Sequence, residues 1–215
     1  MKAATPYALA AIMAGCAAVV LPGALQTAWH DLTLTKPRAM LERATADQQT
    51  PLLLAEAIQI EQALNQAQHQ RQPAHHQVLD NLATLYTLRT LRAAAVPSVQ
   101  AYMAGMAENY YRQALALRPV NGRAWANIAL LRILTGDQGP VYQQALQSAL
   151  QQAPSDYSVG RSLLLATLPF ESQLPPATMA FARKVYAQQS QPAQKQLQHL
   201  LKQLPGPTAS QLRQP

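Results

Sequence analysis

A single cysteine, Cys16, stands in the 215 residues, so no internal disulfide can form and a cysteine-based zinc site lacks partners. Charged residues make up only 13% of the chain against 49% hydrophobic, which excludes a solvated, disordered polyelectrolyte. Glycine is scarce, with eight residues against sixteen prolines, and no Gly-X-Y period runs through them. A collagen-like rod is thereby excluded, and the prolines read as punctuation between helices. Acidic side chains are the rarer charge, 10 Asp and Glu against 17 Lys and Arg, for a net charge of +7. The basic residues are scattered, Arg183-Lys184 being the longest run, and no aromatic-rich strand pattern accompanies them. Nucleic acid is therefore not the expected partner.

Catalytic patterns are missing too. There is no Gly-x-Ser-x-Gly elbow, and Gly136 and Gly139 flank no phosphate-binding loop. His69, His75 and His76 gather around Pro73 with no cysteine or spaced carboxylate nearby, which reads as an exposed turn rather than a metal site. Glu56 and Glu61 are five apart on one helix and would not face each other. The expectation is a non-enzyme with no catalytic residue, metal or cofactor.

What is present begins with an uncharged run from Ala3 through Trp29. Its apolar part, Tyr7 to Leu21, suits a membrane helix at about 20 residues per bilayer core, with Pro22-Gly23 at its end and Trp29 at head-group depth. Residues 1–34 are read as a single-pass N-terminal anchor and linker. Two other fates stay open. Pro22-Gly23-Ala24 and Gln26-Thr27-Ala28 are poor small-x-small cleavage sites, and Met13-Ala14-Gly15-Cys16 resembles a lipobox but leads into more apolar sequence. The short leading segment favours the following domain outside the membrane, whereas Lys36, Arg38 and Arg43 weigh against that orientation.

Beyond the anchor, apolar residues recur at three and four positions, with Ala, Leu and Gln supplying helix propensity. The pattern predicts helices over about 50–70, with Leu54, Ile58, Glu61 and Leu64 at helical intervals, and over 75–95 and 98–118. Asn121 caps the next, and Thr135-Gly136-Asp137 ends it. Four more are expected at 141–152, 158–168, 177–189 and 192–204, before a flexible tail, 205–215. No strand is expected. The fold class is all-α, and the short loops point to αα-hairpins stacked in a solenoid, with a non-repetitive helical bundle as the alternative.

An internal echo supports the stacking. Gln113 to Pro119 resembles Gln147 to Pro154, and the two prolines lie 35 residues apart, close to the tetratricopeptide period of about 34. In the earlier unit Ala107, Tyr111, Ala114 and Pro119 fill the small, aromatic, small and proline positions of a second helix. Trp125, Ile128 and Ala129 then suit the first helix of the next repeat, Gly136 its turn, and Ala149 and Pro154 its closing helix. Alanines let helices approach, the rings fill gaps, and proline ends a helix. The chain divides on this reading into 1–34, a helical region 35–97, tetratricopeptide-like repeats 98–170, capping helices 171–204 and the tail.

Tyr110 to Pro119 with Trp125-Ala126-Asn127-Ile128-Ala129 resembles the small membrane-anchored tetratricopeptide proteins of bacterial exopolysaccharide clusters, the VpsP type. It is similar as well to the tetratricopeptide tails of some O-antigen ligase and polymerase relatives. The motif support covers about 100–170, and Ala153-Pro154-Ser155-Asp156-Tyr157 departs from the Gly-Pro-Trp-rich turn of such relatives. The resemblance implies a non-catalytic part in polysaccharide assembly or export at the inner membrane, with the soluble domain periplasmic and a protein of that machinery as partner. By the repeat register, Arg123 and Asn127 lie four apart on the groove side, where they would grip a carboxylate or an extended peptide. Tyr110, Arg112 and Arg118 are weaker candidates. The alternative is direct binding of anionic polysaccharide by the basic surface.

Overall fold

A computed structural model describes residues 32–45, 52–70, 75–153, 157–167 and 176–187, together with the single positions 191, 194, 195 and 198. These residues are helical apart from turns and loops, and no strand occurs among them. No described helix is long and apolar enough to cross a membrane. Residues 1–31 with Cys16, Pro154, most of 192–204 and the tail lie outside the described residues. The chain forms two compact units, residues 1–70 and 71–215.

The first unit holds α1, residues 32–45, and α2, Leu54–Gln70. In α1 the buried positions are Leu34, Pro37, Leu41 and Ala44, one stripe at helical spacing. In α2 the buried stripe is Ala57, Ile60, Leu64 and Ala67, whereas Leu54 is 75% and Ile58 42% exposed. The expected face is thus correct at Leu64 and rotated elsewhere. The helix begins at Leu54 rather than near residue 50, and the chain before it buries Leu52 instead. Glu56 fixes this start, since its carboxylate accepts from Leu53 N at 3.0 Å and from Arg43 at 2.9 Å. Those two bonds, the backbone one first, hold its carboxyl below the usual range.

The second unit holds α3 (His76–Arg92), α4 (Pro97–Leu117), α5 (Gly122–Leu134), α6 (Pro140–Gln152), α7 (Tyr157–Thr167) and α8 (Pro176–Ala187). Pro97 and Pro140 sit in the first turns of α4 and α6, where a missing N–H costs nothing and a fixed φ helps. Short loops join α3 to α4, α4 to α5 and α5 to α6, and each of these helices turns back on the one before it. The helices pack as the pairs α3–α4, α5–α6 and α7–α8, and α3, α5 and α7 also meet in succession. Pro97 therefore opens the helix that pairs with α3, and the expected boundary at 97/98 falls inside a hairpin.

Burial follows this arrangement. Helix α4 buries one stripe, Gln100, Ala104, Ala107, Tyr111 and Ala114, and α6 buries Tyr142, Ala145, Leu146 and Ala149. Helix α5 is enclosed nearly all round, from Ala126 through Leu131 and again at Ile133 and Leu134. The residues expected to pack do so at Ala107, Tyr111, Ala114, Ile128, Ala129 and Ala149, each no more than 1% exposed. Trp125 packs against this core from a partly buried position. Pro119 is exposed, two residues past the end of α4.

Gly136 ends α5 at φ 75°, a left-handed conformation open to glycine. Its N–H bonds to Ile133 O at 3.0 Å and Asp137 N bonds to Arg132 O at 2.8 Å, which is the Schellman arrangement. Gly122 has a different reason. A Cβ there would come within 2.6 Å of Ala153 Cβ and 3.4 Å of Ala149 O, so the start of α5 and the end of α6 touch through a missing side chain. Gly122→Ala should cost roughly 1–3 kcal/mol of stability in urea unfolding. Gly105→Ala should instead gain about 0.5–1 kcal/mol, because Gly105 lies exposed on α4 with nothing within 4 Å of its added Cβ. Equal effects of the two changes would contradict this packing.

Candidate partner-binding site

Helix α3 carries Asp80, Thr84 and Thr87 along one polar stripe. Its threonines meet Tyr111 of α4, and from there the bonds run on to α5 and α7. Asn127 Nδ2 donates to the Tyr111 hydroxyl at 2.7 Å, and Ser162 Oγ donates to Asn127 Oδ1 at 2.5 Å. Thr84 and Thr87 hydroxyls lie 3.4 and 3.5 Å from the same Tyr111 oxygen. A line of hydrogen bonds thus crosses four helices. Burial pushes the Tyr111 hydroxyl above the ordinary tyrosine range, which keeps it neutral and able both to donate and to accept.

The expected role of Asn127 is therefore corrected. Its residue is 7% exposed and both ends of its amide are occupied within the unit. Burial on three sides, by α4, α5 itself and α7, leaves it no reach to a partner. Arg123 is exposed on the first turn of α5. The pair expected to act together is thus split between surface and core.

A different group gathers around Arg123. Asn121 caps α5 by accepting from Ala124 N at 3.2 Å, its own N–H donates to Gln152 Oε1 at 2.9 Å, and its Nδ2 reaches both Asp80 oxygens at 3.2 and 3.3 Å. One residue so joins α3, α5 and α6. Asp80 is half-buried, and desolvation raises its pKa despite opposing effects from His76, Arg123, Asn121 and Arg118. Both arginines therefore act on one carboxylate, yet neither forms an ion pair with it. Beside them Leu117 is 48% and Val120 68% exposed. Of this group the sequence reading had Arg123, Arg118 and the Asn121 cap; Asp80 had a signal, its spacing from Thr84 and Thr87.

The remaining candidates are spent on structure. Arg112 pairs with Glu108 at 2.7 Å, and Arg132 bridges Glu108 at 2.5 Å and Asp137 at 2.6 Å. Tyr110 lies 5.7 Å from the Tyr86 ring. His75 and His76 stack at 4.7 Å, while His69 is exposed on α2 in the other unit. No group of three metal-binding side chains occurs among the described residues. No protein-family model matches the chain, and no curated protein or solved structure matches it either.

Two outcomes follow from this geometry. Tyr111→Phe removes the acceptor for Asn127 Nδ2 inside the core, so chemical denaturation should show a loss of roughly 1–3 kcal/mol. For Asp80 the sign is opposite. A carboxyl whose folded pKa is raised destabilises the fold above that pKa and stops doing so as pH falls and it takes up a proton. Asp80→Asn should therefore raise the denaturation midpoint at pH 7, and the gain should shrink toward pH 4. A gain that grew on acidification would refute the desolvation account.

Proposed function

We propose that this chain is a non-catalytic, membrane-anchored, tetratricopeptide-like adaptor that holds a partner protein in bacterial polysaccharide assembly or export. The observation that carries the reading is the succession α3–α4, α5–α6, α7–α8 with α3, α5 and α7 also in contact. Stacked helical repeats make contacts of this kind, and their extended surfaces bind other chains. The buried alanines Ala114 and Ala149 support it at the spacing of the repeat, and Ala107 and Ala129 are buried as well. Residues 1–34 would hold the adaptor at the inner membrane, with its helical part in the periplasm. The surface chemistry fits binding better than catalysis: Arg118 and Arg123 stand near a carboxylate with no nucleophile and base in hydrogen-bonded sequence.

The net charge of +7 favours a second reading, direct binding of anionic polysaccharide. Co-purification of the full chain from native membranes separates the two. The adaptor should enrich a protein of the polysaccharide machinery at both low and moderate salt. Enrichment of anionic polymer alone, lost steeply as salt rises, would replace the adaptor with the polymer binder.

A further inference from the structure

We propose that the turn between α4 and α5 docks an acidic, leucine-bearing segment of a partner protein. Its carboxylates would lie on Arg118 and Arg123, and its apolar side chains on Leu117 and Val120. This rests on the adaptor reading and names the chemistry that the adaptor recognises.

The argument begins with charge. Arg43, Arg112 and Arg132 each have a carboxylate partner within 3 Å. The guanidinium groups of Arg118 and Arg123 have no hydrogen bond or ion pair among the described residues, although both sense the Asp80 carboxylate. Arg118 caps the end of α4 and Arg123 lies in the first turn of α5 across the same short turn, both exposed and without a bonded carboxylate among the described residues. The N-terminus of α5, a further source of positive potential, lies between them in sequence. An incoming carboxylate would complete these arginines, and charge-assisted bonds of this kind are the stronger ones.

Apolar exposure narrows the class. Leu117 and Val120 flank Arg118, and residues 116–120 are all exposed. The turn is nevertheless held firmly, since Asn121 at its end bonds to Asp80, Ala124 and Gln152. A fixed loop presenting two aliphatic side chains beside two arginines that are unpaired among the described residues complements a segment that is both acidic and aliphatic. A purely anionic ligand would leave Leu117 and Val120 unused. Asp80 sets the selectivity, because its charge opposes any carboxylate that approaches too deeply.

The test uses the full chain in detergent and a fluorescent peptide of four glutamates around two leucines, read by anisotropy. Arg118→Gln and Arg123→Gln should each weaken binding about fivefold, and Val120→Ser should weaken it as well. Asp80→Asn should tighten it, a change that a merely structural Asp80 would not produce. Circular dichroism should show all four variants folded, since three alter exposed side chains and Asp80→Asn keeps the bond to Asn121. Binding indifferent to both arginines, equal binding when serines replace the leucines, or weaker binding by Asp80→Asn would each overturn the proposal. Pull-downs with the Arg118→Gln, Arg123→Gln double variant separate the two levels. A native partner lost with the double variant supports the site; a partner retained overturns the site and leaves the adaptor standing. Capture of anionic polymer alone by the unaltered chain overturns both.

Discussion

The hydrogen bond from Asn127 to Tyr111 is the contact on which the second unit most depends. Helix α5 is enclosed nearly all round, and a polar amide at its centre would be costly without partners. Tyr111 on α4 and Ser162 on α7 supply them at 2.7 and 2.5 Å. Hydrophobic packing alone tolerates some sliding of one helix on another. This bond does not, because a shift of α5 by one residue would orphan both ends of the amide. The alanines at 107, 114, 129 and 149 bring the helices close, and the polar line fixes which residues meet there.

A second constraint acts at the start of α5. Gly122 lets that end approach Ala153, and Asn121 bonds at once to α3, to α5 and to the last turn of α6. Asp80 belongs to this joint and is an energetic burden on it, since desolvation outweighs the groups that stabilise its charge. A fold selected for stability alone would do better with a neutral side chain there. On the proposed docking, a half-buried carboxylate beside two exposed arginines would serve recognition more than the core.

How far the sequence disclosed this depended on the range of the signal. The Asn121 cap and the Gly136 turn were legible because each is decided within four or five residues. The stripe Ala107, Tyr111 and Ala114 was legible because a single helix carries it at one spacing. The buried face of α2 was not: Leu54 and Ile58 are as apolar as Ile60, and only the point where the helix begins decides which of them turns inward. Helix α1 was not foreseen as a helix of its own, and it carries Pro37 on its buried stripe. Asn127 was misread for a further reason. Four residues from Arg123 it shares that helix's face in projection, but α4 and α7 close over it, and their positions are a tertiary fact. Gly122 likewise looks like a loop glycine until Ala153, 31 residues later, is brought against it.

The surface pair inherits its geometry from these buried contacts. Arg123 is the second residue of α5, so its position follows wherever Asn121 and Gly122 hold the helix start. Arg118 closes α4, where its N–H bonds to Ala114 O at 2.8 Å, and Ala114 lies in the core one turn from Tyr111. The distance between the two guanidinium groups is therefore set by how α4 and α5 pack, not by the short loop between the end of one and the start of the other. A change such as Gly122→Ala touches neither arginine, yet it would move one relative to the other. Stability and recognition are in this way two readings of the same joint, and a surface reading that ignored the core would look for its determinants in the wrong place.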